Sequence, residues 1–514
     1  MFIKDSINSS LKRASNLKYR IFNWFDEPKW LNRISLYLIF FALVYIIFKS
    51  IFSYFDFMHT DVDSARYMLS ALIQGEFAVV ALIISLSLIA IQLAASSYSA
   101  RVVEVFKRTP DLWILIGIYG FSIFFGLGVL KLIEASPQEN SLSTLEGHIS
   151  LVYYLGVFAF VALIPYIWKT LELLKPSTVI DILSKRITKQ IILTTIKIEG
   201  RFNQPIIETE KDPIQPIIDI IRGSLMKYDY ETVRYGLKVF EKRIEYILIY
   251  ENFNEKNEEI ISKHIFNHLL RIGKLTANRQ DEDSTIEIMN TIFECGEKVV
   301  ENRLEFATSH IISSLGGLGI ASIKEKFKNT DLIITALGII GRKAAEYNLD
   351  HPTSLSATSF RKIGELAAEY EFENLTHETI IHLVDIGKKS AKNNLKKATL
   401  YTIVAFGGVG EKAAKNKFEN SLYSIVFGLN GVIEEIAKQN IQENLSSISM
   451  AIVSLEKIGI TSSENQLENV TQEVTKSLTN VIKIAEKYKL IDELDQAEQT
   501  LKNINEVIGK FGYK

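Results

Sequence analysis

The stretch IGELAAEYEFEN (363–374) returns as IGKKSAKNNLKK (386–397) and again as VGEKAAKNKFEN (409–420). Gly364, Gly387 and Gly410 stand 23 residues apart, and Gly341, Gly319, Gly296 and Gly273 carry the series backward in steps of 23, 22, 23 and 23. Small residues follow three and four places on, as in Ala344–Ala345, Ala367–Ala368, Ser390–Ala391 and Ala413–Ala414. Eight places on stands Leu304, Phe327, Leu349, Phe372, Leu395 or Phe418. On a helix, positions 0, 4 and 8 drift by only about 40° per step, so these residues are expected to share one face. Each unit reads as one helix of about 18 residues and a short turn, with the glycine admitting a close neighbour and the Leu or Phe filling the gap. Two units make 46 residues, inside the period of about 40–47 that marks HEAT or armadillo helix pairs. The spacing predicts an α-solenoid over residues 217–514, each repeat burying its apolar stripe against the next. Beyond Gly410 the register slips: the equivalent position is Ile433, and Gly459 and Gly509 follow only approximately.

Upstream of the repeats lies FNQPIIETEKDPIQPI (202–217), where Pro205, Pro213 and Pro216 forbid a continuous helix. The preceding IILTTIKIEG (191–200) is β-branched enough for a strand, and its type stays open. Residues 169–216 therefore read as a juxtamembrane segment and linker.

Further back the chain turns apolar. Four stretches, 34–55, 77–97, 112–134 and 149–168, reach the length of about 20 residues that crosses a bilayer. Lys and Arg gather before the first, between the second and third (Arg101, Lys107, Arg108) and after the fourth. The other two loops are acidic, with Asp56, Asp61, Asp63 and Glu76 in one and Glu139 and Glu146 in the other. By the positive-inside rule both termini are cytoplasmic, and the expected location is the plasma (inner) membrane. Trp24, Trp30, Trp113 and Trp168 all fall at the cytoplasmic headgroup level under this topology. The basic segment 1–33 reads either as an interfacial helix or as a flexible tail.

The second span carries polar residues: Ser85, Gln92, Ser96 and Ser99, spaced 7, 4 and 3 apart, line one side of it and of its extension. In lipid such a face is expected to pack against other helices; the alternative is that it lines a pore built from several copies.

Chemistry is sparse elsewhere. A formal net charge of -2 excludes a general nucleic-acid binder, and the single cysteine, Cys295, excludes an internal disulfide and reads as a small buried hydrophobe. The glycine clusters LGGLGIAS (315–322) and FGGVGEKA (406–413) lack phosphate-loop spacing and fall mid-helix, where packing explains them. His264 and His268 stand at i and i+4, but HExxH is absent and no third ligand is evident; a solvated helix face is expected, and no metal site. No catalytic constellation is visible, so neither an enzyme nor a cofactor is expected.

The run SLIAIQLAASSYSARVVEVFKRTPDLWILIGIYGFSIFFGLGVL, with its Ala94, Ala95, Ser96, Ser97, Tyr98 and Arg101, resembles the membrane part of the prokaryotic family termed domain of unknown function 2254. The resemblance is close over about 60 residues, loose over residues 34–170, and stops before the repeats. It implies an integral membrane protein and specifies no activity. Together these readings predict an all-α chain: four spans in lipid, then a cytoplasmic repeat domain that binds a protein or another copy of itself, or, alternatively, that gates an oligomeric channel.

Overall fold

The computed structural model describes residues 30–55, 62–97, 110–135, 142–199, 204–207, 212–250, 254–439 and 441–511; the basic N-terminal segment and Ser99 lie outside them. Two compact units divide the chain, Met1–Leu183 and Ser184–Lys514.

The first unit is a bundle of α1 (Trp30–Phe55), α2 (Val62–Ser97), α3 (Pro110–Ala135) and α4 (Leu142–Leu173). Helix α4 packs on the other three, and two apolar clusters hold them together. One gathers Tyr37, Ile83, Leu115, Tyr119, Phe158 and Tyr166; the other gathers Ala65, Leu69, Val129, Ile133 and Val152. Large apolar side chains also face outward, among them Leu38, Ile46, Leu82, Leu88, Phe124 and Ile164. Water would oppose such a surface and hydrocarbon accepts it.

The second unit begins in α5 (Pro176–Arg186), which straddles the division, and α6 (Lys189–Thr195). A small antiparallel pair follows, β1 (Ile196–Glu199) with β2 (Gln204–Ile207), so the open stretch 191–200 is helix first and strand after. Then come α7 (Gln215–Met226), with Pro216 in its first turn where no amide donor is needed, and α8 (Tyr230–Glu245), which ends in a π-turn. The array continues through α9 (Glu255–Asn278), α10 (Glu282–Glu301), α11 (Glu305–Lys324), α12 (Thr330–Glu346), α13 (Asp350–Glu369), α14 (Glu373–Lys392), α15 (Lys396–Lys415), α16 (Glu419–Gln439), α17 (Leu445–Glu464), α18 (Glu468–Tyr488) and α19 (Ile491–Phe511). Odd-numbered helices from α9 pack on one another in one layer and even-numbered helices from α8 in a second, a stack of helix pairs as a solenoid requires.

A repeated turn sets this period. Gln280, Arg303, Lys326, Asn348, Glu371, Asn394 and Lys417 all have φ between 54° and 63°, and each stands seven residues after a repeat glycine. In each case the next residue's amide reaches back to the carbonyl five residues earlier, as in Phe372 to Ala367 at 2.8 Å and Phe418 to Ala413 at 3.0 Å. This is the Schellman closure of a helix C-terminus. The Leu or Phe at position eight therefore does not share a helix face with the glycine, as expected from 40° steps. It lies beyond the turn, because the helix ends at about position five; Leu304, Leu349, Phe372 and Leu395 stand at the N-cap of the following helix, and Phe327 lies two residues before one. Here the small residues at positions three and four are the last turn that it closes on.

The register slip after Gly410 also has a cause. A short 3₁₀ turn, Ile441–Asn444, separates α16 from α17, and Gly459 and Gln466 resume the seven-residue relation beyond it. Gly509 does not belong to the series and has open space around it. Pro352 lies in the first turn of α13, where its ring is tolerated.

Candidate functional site

The repeat glycines mark three-helix crossings. A methyl group on Gly364 would lie 2.8 Å from Val409 Cγ2 and 3.1 Å from Thr379 Cγ2, the first two helices along in the same layer, the second on the next helix. The same pair of relations holds at Gly273 (Leu318, Ile288), Gly296 (Ile340, Ile311), Gly319 (Ile363, Ile333), Gly341 (Ile386, Ser356), Gly387 (Val432, Thr402) and Gly410 (Ile458, Ile425). The glycine clusters behave alike: Gly316 meets Ser359, and Gly407 meets Ser454. These positions shape the stack and hold no ligand chemistry.

Polar links follow the helix-pair spacing. Lys343 binds Glu297 at 2.8 Å and Glu301 at 3.0 Å, Lys412 binds Glu369 at 2.6 Å, and Lys389 pairs with Glu346. With an apolar residue at the N-cap, a helix cannot cap itself. Its first amides are served by the previous helix of the same layer: Glu258 accepts from Ala307 N–H at 3.1 Å and Asp350 from Ala398 N–H at 2.8 Å.

In the described part of the bundle, three polar groups stand out. At one end Lys169 pairs with Asp111, Arg33 Nε lies 3.9 Å from Asp111, and Ser87 shares a 2.6 Å hydrogen bond with Tyr166. At the other end Arg66 lies 3.5 Å from Asp63. On α2, Arg66 and Ser87 are 21 residues apart, about 31 Å along a helix, the thickness of a hydrocarbon core of about 30 Å. Halfway between them Glu76, 1% exposed, accepts a 2.7 Å hydrogen bond from Ser122 Oγ, beside Gly156.

Glu76 therefore does not stand in an outer loop. Helix α2 begins fourteen residues before it, and the apolar stripe Ala65, Leu69, Ile73 leads directly to it. A hydropathy window breaks at Gly75 and Glu76, whereas the 3–4 spacing of the stripe runs through them. Ser85, Gln92 and Ser96 are exposed on the chain's surface and not packed against its other helices; Ser85 bonds Ala81 O and Ser96 bonds Leu93 O within the helix. Since α2 starts earlier than expected, Gln92 and Ser96 fall past the Ser87 level. Among the described side chains of this helix end, Ser87 is buried.

His264 and His268 are buried rather than solvated, and Asp212 is the partner that no local spacing disclosed. Cys295 is buried, which pushes its thiol above the usual range and leaves it inert.

An apolar bundle with a carboxylate at its middle, followed by a stack of tandem helices, defines a membrane protein with helical repeats. Residues 31–219 match the model of the family described as "Predicted membrane protein (DUF2254)", a longer match than the 34–170 that the resemblance implied. No curated protein matches the chain. Among solved structures, a "Circular tandem repeat protein with novel repeat topology and enhanced subunit contact surfaces" is similar at 11% identity and a TM-score of 0.36, over 77% of this chain and 96% of that one.

Proposed function

We propose that the protein is a membrane-anchored interaction scaffold. Four helices, Leu31–Ile51, Val62–Leu93, Pro110–Glu134 and Leu145–Leu173, span the bilayer. A fifth helix, Glu305–Lys324, also has the length and apolar composition to span, but its most apolar window is 67% buried inside the repeat stack, which accounts for that composition. Both termini lie on the cytoplasmic side of the plasma (inner) membrane, where the repeats meet a protein partner or a second copy of the chain. Neither nucleic acid nor a catalytic role enters this reading.

One observation carries it. Ile381 and Phe427 hold the same place on neighbouring helices α14 and α16, 46 residues apart, and are 46% and 66% exposed, with Lys388 laid over the Phe427 ring. A repeated apolar position on the outside of a stack supports contact with another macromolecule. A photo-crosslinking amino acid at position 427 of the full chain, activated in cells, is expected to give a discrete adduct or a covalent dimer, and Phe427→Asp to lose detergent-resistant association. Absence of any adduct at positions 381 and 427 contradicts the proposal.

A second reading has its own support. Exposed Ser85 and Gln92 on α2 favour self-association through that helix, and an oligomer could line a pore with them. Liposome flux abolished by Gln92→Leu would favour the channel; a monomer in native lipid without flux would favour the scaffold.

A further inference from the structure

Asp212, His264 and His268 come together inside the repeat unit, with side-chain exposures of 2%, 4% and 7%. His264 and His268 lie one turn apart on α9, their rings 4.6 Å apart and at 77°. Asp212 precedes α7 and is held by the Ile214 amide, which donates to Oδ1 at 3.0 Å. His264 Nε2 lies 3.1 Å from Oδ1 and His268 Nε2 lies 2.9 Å from Oδ2, so both imidazoles aim the same nitrogen at one carboxylate.

The group places a carboxylate and two imidazoles together in the interior, a donor set suited to a divalent cation. The distances are close to what one needs. Four-coordinate zinc with bonds of about 2.0–2.1 Å sets its ligand atoms roughly 3.3–3.4 Å apart; each nitrogen–carboxylate contact needs to open by only a few tenths of an ångström, and the donor atoms of all three residues already lie within 4.8 Å of one another.

We propose that Asp212, His264 and His268 bind one zinc-class divalent cation, through two Nε2 atoms and one carboxylate oxygen, with the fourth position left to water. Its role is a clip at the beginning of the array. Asp212 and His264 are 52 residues apart, and a shared ion ties the segment entering α7 to α9.

The test uses the full chain in detergent, stripped with EDTA and titrated with Zn²⁺ alone or Co²⁺ alone. One equivalent per chain is expected, with the visible d–d absorption of four-coordinate cobalt, two imidazoles in its X-ray absorption spectrum and a higher melting temperature. His268→Gln retains an amide donor toward Asp212 but is a poor ligand, and Asp212→Asn removes the anion; each is expected to weaken binding at least tenfold, whereas His310→Gln leaves it unchanged. No binding, or binding that both Asp212→Asn and His268→Gln leave intact, overturns the proposal. Should neither variant fold, the wild-type cobalt spectrum decides: fewer than two imidazoles on the ion overturns it.

Discussion

At Glu371 the backbone turns left-handed with φ 60° on a residue that has a Cβ, and six like positions from Gln280 to Lys417 share the conformation. Such a residue carries strain of about 1–2 kcal/mol that glycine lacks. Glu371→Gly is therefore expected to raise stability by about 0.5–1 kcal/mol, read from chemical denaturation of the full chain. Seven residues earlier the opposite holds. Gly364→Ala must displace Val409 and Thr379 and is expected to cost about 1–3 kcal/mol in the same assay. His310, on α11, adds a pH dependence. Burial, with Lys263 and His351 nearby, lowers it to about 4 against about 6.5 in an unfolded chain. Between those values the unfolded state binds more protons, so stability is full above about pH 6.5 and falls as pH drops toward 4. The expected loss at pH 5 is about 1 kcal/mol, discounted for partial exposure, and His310→Gln should flatten the denaturation midpoint between pH 7 and 5.

Each helix of the array leans on another for what its own sequence cannot supply. Because Leu395 at the N-cap of α15 offers no acceptor, Asp350 of α13 takes the Ala398 amide. Asp350→Ala should cost about 0.5–2 kcal/mol, and amide hydrogen exchange should quicken first at the N-terminal turn of α15. The period, the helices and the two-layer stack were legible in the glycines alone, since one small residue every 23 positions marks each crossing. The turn was not legible. Its left-handed residues are Gln, Arg, Lys, Asn and Glu, with no glycine to announce them, so the Leu and Phe beyond it were assigned to the wrong helix. Glu76 reads from the sequence as a loop residue because a hydropathy window stops at a charge, while a helix stops only where its hydrogen bonds or packing fail. Asp212 was out of reach for a different reason: 52 residues of chain separate it from its partner His264.

For the whole molecule, length and apolarity indicated a membrane, and loop charge indicated a direction. The bundle adds a ruler. Arg66 and Asp63 stand at one end, Arg33, Asp111 and Lys169 at the other, about 31 Å of helix lies between Arg66 and Ser87, and Glu76 sits at the middle where only a hydrogen-bonded, buried carboxylate is tolerated. Solenoid stacking, in turn, leaves apolar outer positions such as Ile381 and Phe427 exposed.

The decisive measurement is side-specific thiol labelling in a Cys295→Ser background, with one cysteine introduced at exposed Glu146, at the acidic end of α4, or at exposed Lys328, in the turn after α11. A membrane-impermeant maleimide is expected to label Glu146→Cys in intact cells and Lys328→Cys only after the membrane is opened. Labelling of Lys328→Cys in intact cells, or of both positions alike, would contradict a bundle that crosses the bilayer four times and holds the repeats inside.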